Sequence, residues 1–570
     1  MVKQTTNKII NNWHNIPWGE VIKKVRDLQN QIVRAKLNNN MNLVYKLQNQ
    51  LVNSFAGRAL AIRNTITKSE AKIPGIDNII WNTPEKRFQA IEELGLITKN
   101  PNQYKSSPLK KVLNPKINSK ELKPFGIPTM IDRAVQAIYL LAVDPVVETS
   151  SDKYSFGFRK YRSEQDAIAY IRSLLDKPKS PQFILEVELS KCFDKISHEF
   201  LMKATPICHK HVLKEWLKSG YIYKNKLHKT EEGILLGGII TPMLCNLTLN
   251  GLCNVIKKEF NPRKKVNGNV PKINLVRYAK DLVITGENID IINKVKQIME
   301  DYIKTRGLDI KHAKTRLVTI YEGFNFLGFN IIRKNFNSRF NAISKQKTVL
   351  IITPSKKAVK SIKVQIKNII LKNKVEIAGI IKEINPVLRN WGNYFNISYH
   401  SQNTFIKIGH YVWGSMMRWV SKKHTSHSIF KAVSKYIVTG KTNSNHKWVW
   451  GINNTDNSKI NNLVITNLAE TKIKKHPLLK LDLNPYLLEN QNYFFKRLIK
   501  KNSAKFTELI YIKYNHQCPL CLDSLHNGEQ VELHHIIPVR EGGNYSVSNI
   551  QPLHQICHIS VTHRTDNYKE

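Results

Sequence analysis

Apolar residues at Val21, Val25, Leu28, Ile32 and Ala35 recur at helical spacing, and Leu43, Leu47 and Leu51 repeat the pattern. The Asn38-Asn39-Asn40 run between the two sets predicts the turn of a basic helical hairpin. From about Phe88 to Thr353 short β-like runs alternate with helical ones, as in an α+β unit. Within it, Leu275–Tyr278 and Leu282–Thr285 read as two strands around a tight turn, with Ile184–Leu189 as a partner strand. Phe193–His198 opens a helix after that partner strand. Further on, Lys356 to Ile370 is an amphipathic helix: Val359, Ile362, Ile366 and Ile370 form its stripe, with Lys356, Lys357, Lys360, Lys363 and Lys367 between. More helices are expected at Ile384–Tyr394 and Tyr411–His424. The stretch from about Thr439 to Asn484 is polar and broken, and there is no internal repeat.

A chain of 570 residues exceeds one core, so about three to five structural units are expected. Lys+Arg 89 against Asp+Glu 43 gives a formal net charge of +46. That excess calls for a polyanionic partner, and 9% aromatic content argues against a disordered basic tail. A membrane surface would attract the same charge, but no apolar run of spanning length is present. Nucleic acid is the expected partner. Of seven cysteines only Cys518, Cys521 and Cys557 have metal-like spacing, which points to a reducing compartment and leaves the other four as core residues. No secretory signal stands near Met1, and patterned sequence begins at Trp13. Richness in Asn, Lys and Ile reads as an AT-rich genome, organellar or low-GC bacterial.

The last fifty-odd residues carry the sharpest chemistry. Cys518-Pro-Leu-Cys521 is a C-x2-C knuckle, closed by His554-Gln-Ile-Cys557, and four such ligands suit a tetrahedral structural Zn²⁺. His534, His535, Asn549 and His558 stay unassigned in the same segment, enough for a second metal site with an adjacent base, the equipment of phosphodiester hydrolysis. The segment resembles the HNH endonuclease family, Pro538 and the Glu541-Gly-Gly543 turn included. The resemblance implies that His535 is the general base and that His534 and His558 hold a catalytic Mg²⁺ or Mn²⁺. Asn549 would orient the base or brace the loop. Val561 stands near a position where the family often has lysine. His516, His526 and His563 are expected at the surface. A zinc-bound DNA-binding module without cleavage is the alternative.

Further blocks come in order: Pro74–Asp77, Lys123–Pro128, Ser155–Arg159 with Arg162-Ser163, Gly237–Pro242, Arg277-Tyr-Ala-Lys-Asp281 and Phe326–Phe329. Each resembles a block of the reverse transcriptase of group II intron-encoded proteins. Asn385–Trp391 and Tyr394 resemble that family's maturase, or thumb, region. The implied fold is multidomain α+β: a right-hand polymerase palm with fingers, an α-helical thumb/maturase domain, and a C-terminal zinc-containing ββα-metal HNH domain. The expected boundaries are an N-terminal helical extension at 1–87, fingers and palm at 88–345 and the maturase domain at 346–440. A basic DNA-binding or linker region at 441–505 and the nuclease at 506–570 complete them. Group II intron RNA, held by the lysine face with Arg389 and Arg418 and by Trp391, Tyr394, Trp413 and Trp419, is the implied partner. Tryptophans at helical spacing are more often core than RNA contacts. Target DNA is the second partner, and a homodimer is one expected assembly. The reading leans to a chloroplast over a mitochondrion or bacterial cytoplasm.

The palm departs from the family pattern. Lys280 replaces the first aspartate of the usual Tyr-Ala-Asp-Asp turn, Glu188 stands for the partner-strand aspartate, Leu236 for a glutamine, and Asp281 alone is unaltered. An ammonium about 5 Å from a divalent ion repels it by roughly 6–7 kcal/mol at an effective dielectric near 20, where aspartate would attract it. Lys280 is therefore expected to pair with Glu188 or Asp281 and to disable polymerisation while the fold survives. Two rivals stay open: a fully active mobile-intron enzyme that tolerates Lys280, and a non-enzymatic RNA-binding splicing factor.

Overall fold

The computed structural model describes residues 12–566, apart from 68, 116–121, 191, 235, 261–270, 336–347, 374–375, 426–427, 439–447, 453–462, 500–504, 528, 539–540, 543 and 545. Gly543 of the expected HNH turn and much of the polar stretch after Thr439 therefore lie outside the described residues. Among the described residues, apolar side chains gather into two clusters rather than one per unit. One joins the N-terminal helices, a palm face and the terminal knuckles; the other joins the opposite palm face to the maturase helices.

The N-terminus forms α1 (Trp18–Leu37), α2 (Met41–Asn53) and α3 (Phe55–Ile66). Asn39 turns the chain at φ 56°, and the Asn40 side chain caps α2 by accepting from Leu43 N at 3.0 Å. The predicted hairpin is thus present, with two corrections. Leu43 is 41% exposed and its neighbour Val44 is fully buried, so the α2 stripe begins at Val44 and runs through the predicted Leu47 and Leu51. A third helix also completes the bundle. It was not separable by periodicity, since Ala59, Ala61, Ile62 and Arg63 are all buried and no polar face contrasts with them.

The palm is an antiparallel sheet behind helix α4 (Glu164–Leu175). Strand β1 (Phe183–Ser190) lies beside the hairpin of β2 (Asn274–Tyr278) and β3 (Asp281–Gly286), with Asp309–Ile310 and β4 (Arg316–Thr319) also pairing to β1. Arg277 is fully buried and donates from its two terminal nitrogens to Asn246 Oδ1 at 3.1 Å and Asn250 Oδ1 at 2.9 Å, which offsets part of the cost of burying it.

The maturase unit contains α5 (Lys356–Lys372), α6 (Ile377–Phe395) and α7 (Gln402–Lys423). Ser355 caps α5, and Ile362, Ile366 and Ile370 bury its predicted stripe. Residues 463–499, assigned by sequence to the linker region, return across the palm. Asp166 Oδ1 accepts from His476 Nε2 at 2.7 Å and from Arg497, while Tyr486 donates to Asp144.

The terminal module is a ββα unit: α8 (Lys505–Lys513) leads into antiparallel β5 (Val531–His535) and β6 (Ile550–His554), then α9 (Gln555–Asp566). Among the described residues no helix is long and apolar enough to cross a membrane.

Candidate functional site

The two-residue turn Ala279-Lys280 joins β2 to β3, and the register sets Glu188 opposite Asp281. Ala279 adopts φ 53°, a left-handed conformation that costs a non-glycine residue energy. Its neighbours hold it there: Leu189 N donates to Lys280 O at 3.1 Å and Phe156 N to Arg277 O at 2.8 Å. Gly157 is required beneath the turn, since a Cβ there would lie 2.5 Å from Ala279 N.

A polymerase palm needs carboxylates free to converge on divalent ions. Here Lys280 Nζ donates to Glu188 Oε1 at 2.7 Å. Burial by itself would lower the lysine pKa, but the hydrogen bond and charge of Glu188, with the charge of Asp281, outweigh it and hold the ammonium protonated. These three side chains sum to −1 where three carboxylates would give −3. They do not fit a pair of divalent ions, and Leu236 of the neighbouring block packs against the core instead of offering a polar group.

In the terminal module the fit is good. Cys518, Cys521, His554 and Cys557 are buried, and their ligand atoms all lie within 4.8 Å of one another. Tetrahedral zinc with Zn–S near 2.3 Å sets ligands about 3.8 Å apart, within that span. On β5, Glu532 and His534 share one face, and α9 brings His558 to them. The His534 and His558 rings are 5.0 Å apart at 70°, and His558 Nδ1 is 2.7 Å from Glu532 Oε2. Burial, then the charges His558 and His535 would carry, lowers the His534 pKa and favours the neutral imidazole a metal ligand must be. His535 follows on the other face of the strand. Asn549 does not reach it directly in any bond described: its Nδ2 donates to Ile537 O at 3.0 Å and Asn544 O at 2.9 Å, and its Oδ1 accepts from Ile537 N at 2.8 Å. It braces the loop that leaves β5.

Four family profiles match in order: "N-terminal domain of reverse transcriptase" at residues 13–94 and "Reverse transcriptase (RNA-dependent DNA polymerase)" at 110–331, then "Group II intron, maturase-specific domain" at 359–437 and "HNH endonuclease" at 518–564. Group II intron-encoded protein LtrA of Lactococcus lactis subsp. cremoris is 26% identical over 275 residues, 46% of this chain and 42% of that one. The chain belongs to the group II intron-encoded proteins. It is an intron maturase with reverse transcriptase and HNH domains. Protein YkfC of Escherichia coli is 28% identical over 311 residues, 48% of this chain and 80% of its own. Maturase-like protein 1 of Euglena gracilis is 25% identical over 395 residues, 68% of this chain and 78% of its own.

On the maturase helices, Lys356, Lys357, Lys360 and Lys367 are exposed, and Lys363 lies over the Tyr411 ring at 5.1 Å. Arg389 is exposed beside Thr466, and Arg418 is exposed beside Ser415. The aromatic set is core-facing. Trp391 packs on Phe395 and Phe405, Trp413 on Trp450, and Trp419 Nε1 donates to Asn373 O at 3.0 Å. Tyr394 donates to Leu327 O at 2.9 Å, tying this unit to the Phe326–Phe329 block. Placement of His516 at the surface is corrected, since it is 6% exposed; its Nδ1 meets Nε2 of the half-buried His526 at 3.1 Å. His563 lies where no side chain is described. Sequence reasoning missed Glu532; the signal was its place two residues before His534, the spacing that shares one face of a strand.

Proposed function

We propose that this maturase binds its group II intron RNA to promote splicing, cuts DNA with its HNH domain, and does not polymerise DNA. The Lys280–Glu188 contact carries the last part, because a fixed cation stands where divalent ions must be drawn in. RNA affinity comes from the exposed lysines of α5, which contact phosphates without needing palm metals. Sequence-specific contacts to unpaired RNA would come from Arg389 and Arg418.

In the nuclease, Cys518, Cys521, His554 and Cys557 would hold zinc and fold the knuckles. His534 and His558 would hold Mg²⁺ or Mn²⁺, which when bound neutralises charge developing on the scissile phosphate. His535 takes the proton of the attacking water. Glu532 orients His558, and Asn549 fixes the loop behind the base. An organelle or bacterium is the setting of such introns.

The test pairs the purified protein with a group II intron precursor transcript from the genome that encodes it. Accelerated splicing without cDNA supports the reading. Splicing no faster than RNA alone would remove the maturase part.

A further inference from the structure

The terminal module is not a free appendage. Its knuckle residues Cys518, Cys521, Leu525, Ile556 and Cys557 belong to the same apolar cluster as α1 and α3. At the centre of that contact is Arg63 of α3, whose side chain is fully buried. Its Nη2 donates to Glu529 Oε2 at 2.9 Å and lies 3.8 Å from both Cys521 Sγ and Cys557 Sγ. Trp18 of α1 stacks its ring 4.9 Å from the same guanidinium. A second ion pair, Arg26 with Asp523, crosses from α1 to the residue two beyond Cys521.

A buried arginine is costly unless matched by charge. Glu529 supplies one match. Three thiolates and one imidazole around Zn²⁺ leave the site formally −1, and Arg63 touches two of those sulfurs. An N–H group in contact with a ligand sulfur orients that ligand and so helps to retain the metal. The donor comes from a helix about 460 residues earlier in the chain, as the 458-residue separation of Arg63 from Cys521 records.

We propose that Arg63 is a positioning residue for the knuckles, and that the bound metal latches the HNH module onto the N-terminal helices. This rests on reading the Cys3His set as a zinc site. With the latch closed, the nuclease has a defined seat on the reverse transcriptase body. With the metal lost, the knuckles lose their common centre, Arg63 loses two sulfurs held at fixed positions, and the seat loosens.

Hydrogen exchange on the full-length protein, with and without a strong zinc chelator, tests the latch without any variant. The expected result is loss of protection in residues 18–37 and 55–66 together with 518–566. Loss confined to 518–566 would overturn the proposal. Metal content of the untreated protein separates the two readings, since a chain purified without stoichiometric metal removes the zinc site and the latch together. A second arm follows zinc transfer to a colorimetric chelator in Arg63→Met and Arg63→Lys. Arg63→Met should release zinc about 10- to 100-fold faster, with Arg63→Lys between it and the natural protein. Equal rates in all three, with metal present, would overturn Arg63's role while leaving the zinc site standing.

Discussion

Lys280 Nζ lies 2.7 Å from Glu188 Oε1, across the two strands on which a polymerase would mount its metal-binding carboxylates. The pair is only partly buried, with the side chains 40% and 19% exposed. It therefore adds little to stability, in the range of about 0–1 kcal/mol for exposed pairs. Its consequence is functional: the sheet keeps its register while the carboxylates lose their freedom. Glu188→Gln should accordingly leave the melting temperature within about 2 °C of the natural protein. A large drop would mean that the pair is structural.

His535→Ala should abolish DNA nicking, with a loss of at least about 10²-fold, and leave RNA binding unchanged. Glu532→Gln should cost less, about 10- to 100-fold, because it acts through His558. Nicking assays on a supercoiled plasmid in Mg²⁺ or Mn²⁺ measure both. Equal activity in His535→Ala and the natural protein would show that the terminal module only binds.

RNA binding should weaken almost uniformly when lysines of α5 are neutralised. Each of Lys356→Gln, Lys357→Gln, Lys360→Gln and Lys367→Gln should lower the salt slope of binding by about 0.7–0.9. Filter binding across a potassium series reads this. A slope unchanged in the fourfold variant would move the RNA interface elsewhere.

Asp166 connects the palm to the returning segment. Its buried carboxylate meets Ser163, His476 and Arg497. Asp166→Ala leaves Arg497 buried without its partner, and about 3–5 kcal/mol of stability should be lost. Chemical denaturation measures the loss, and trypsin should cut sooner between 470 and 499. Natural protease resistance in the variant would mean that this segment is held by other contacts.

Acid should loosen the terminal module through His526. Burial, then the neighbouring His516, pushes its pKa down to about 4 from 6.5. The unfolded chain therefore takes the proton first, and stability is lost as pH falls from about 6.5 towards 4. His526→Gln should flatten that limb in melts with excess zinc. An unchanged limb would assign acid sensitivity to the thiolates.

Much of this architecture was legible because the patterns were local. The α5 stripe, the β2–β3 hairpin and the paired knuckles each follow from spacing within a few residues. The loss of a carboxylate at Lys280 and the longer side chain at Glu188 are visible in the letters; that the two grip each other needed the register between β1 and β3. Long-range partners were not legible. Nothing near Arg63 announces Cys521 and Cys557, nothing near Asp166 announces Arg497, and the packed His516–His526 pair is indistinguishable in sequence from two surface histidines. Tryptophans at helical spacing are more often core than RNA contacts, and tertiary packing buries Trp419 in the core and sets Trp391 against it.

The central claim is that a lysine has silenced the palm of an intron maturase, and primer extension on an RNA template tests it most directly. The natural protein and Lys280→Asp should be compared in Mg²⁺ and in Mn²⁺, with splicing of the same preparation as the control for folding. The account predicts no cDNA from the natural protein and measurable product from Lys280→Asp. Robust cDNA from the natural protein would contradict it.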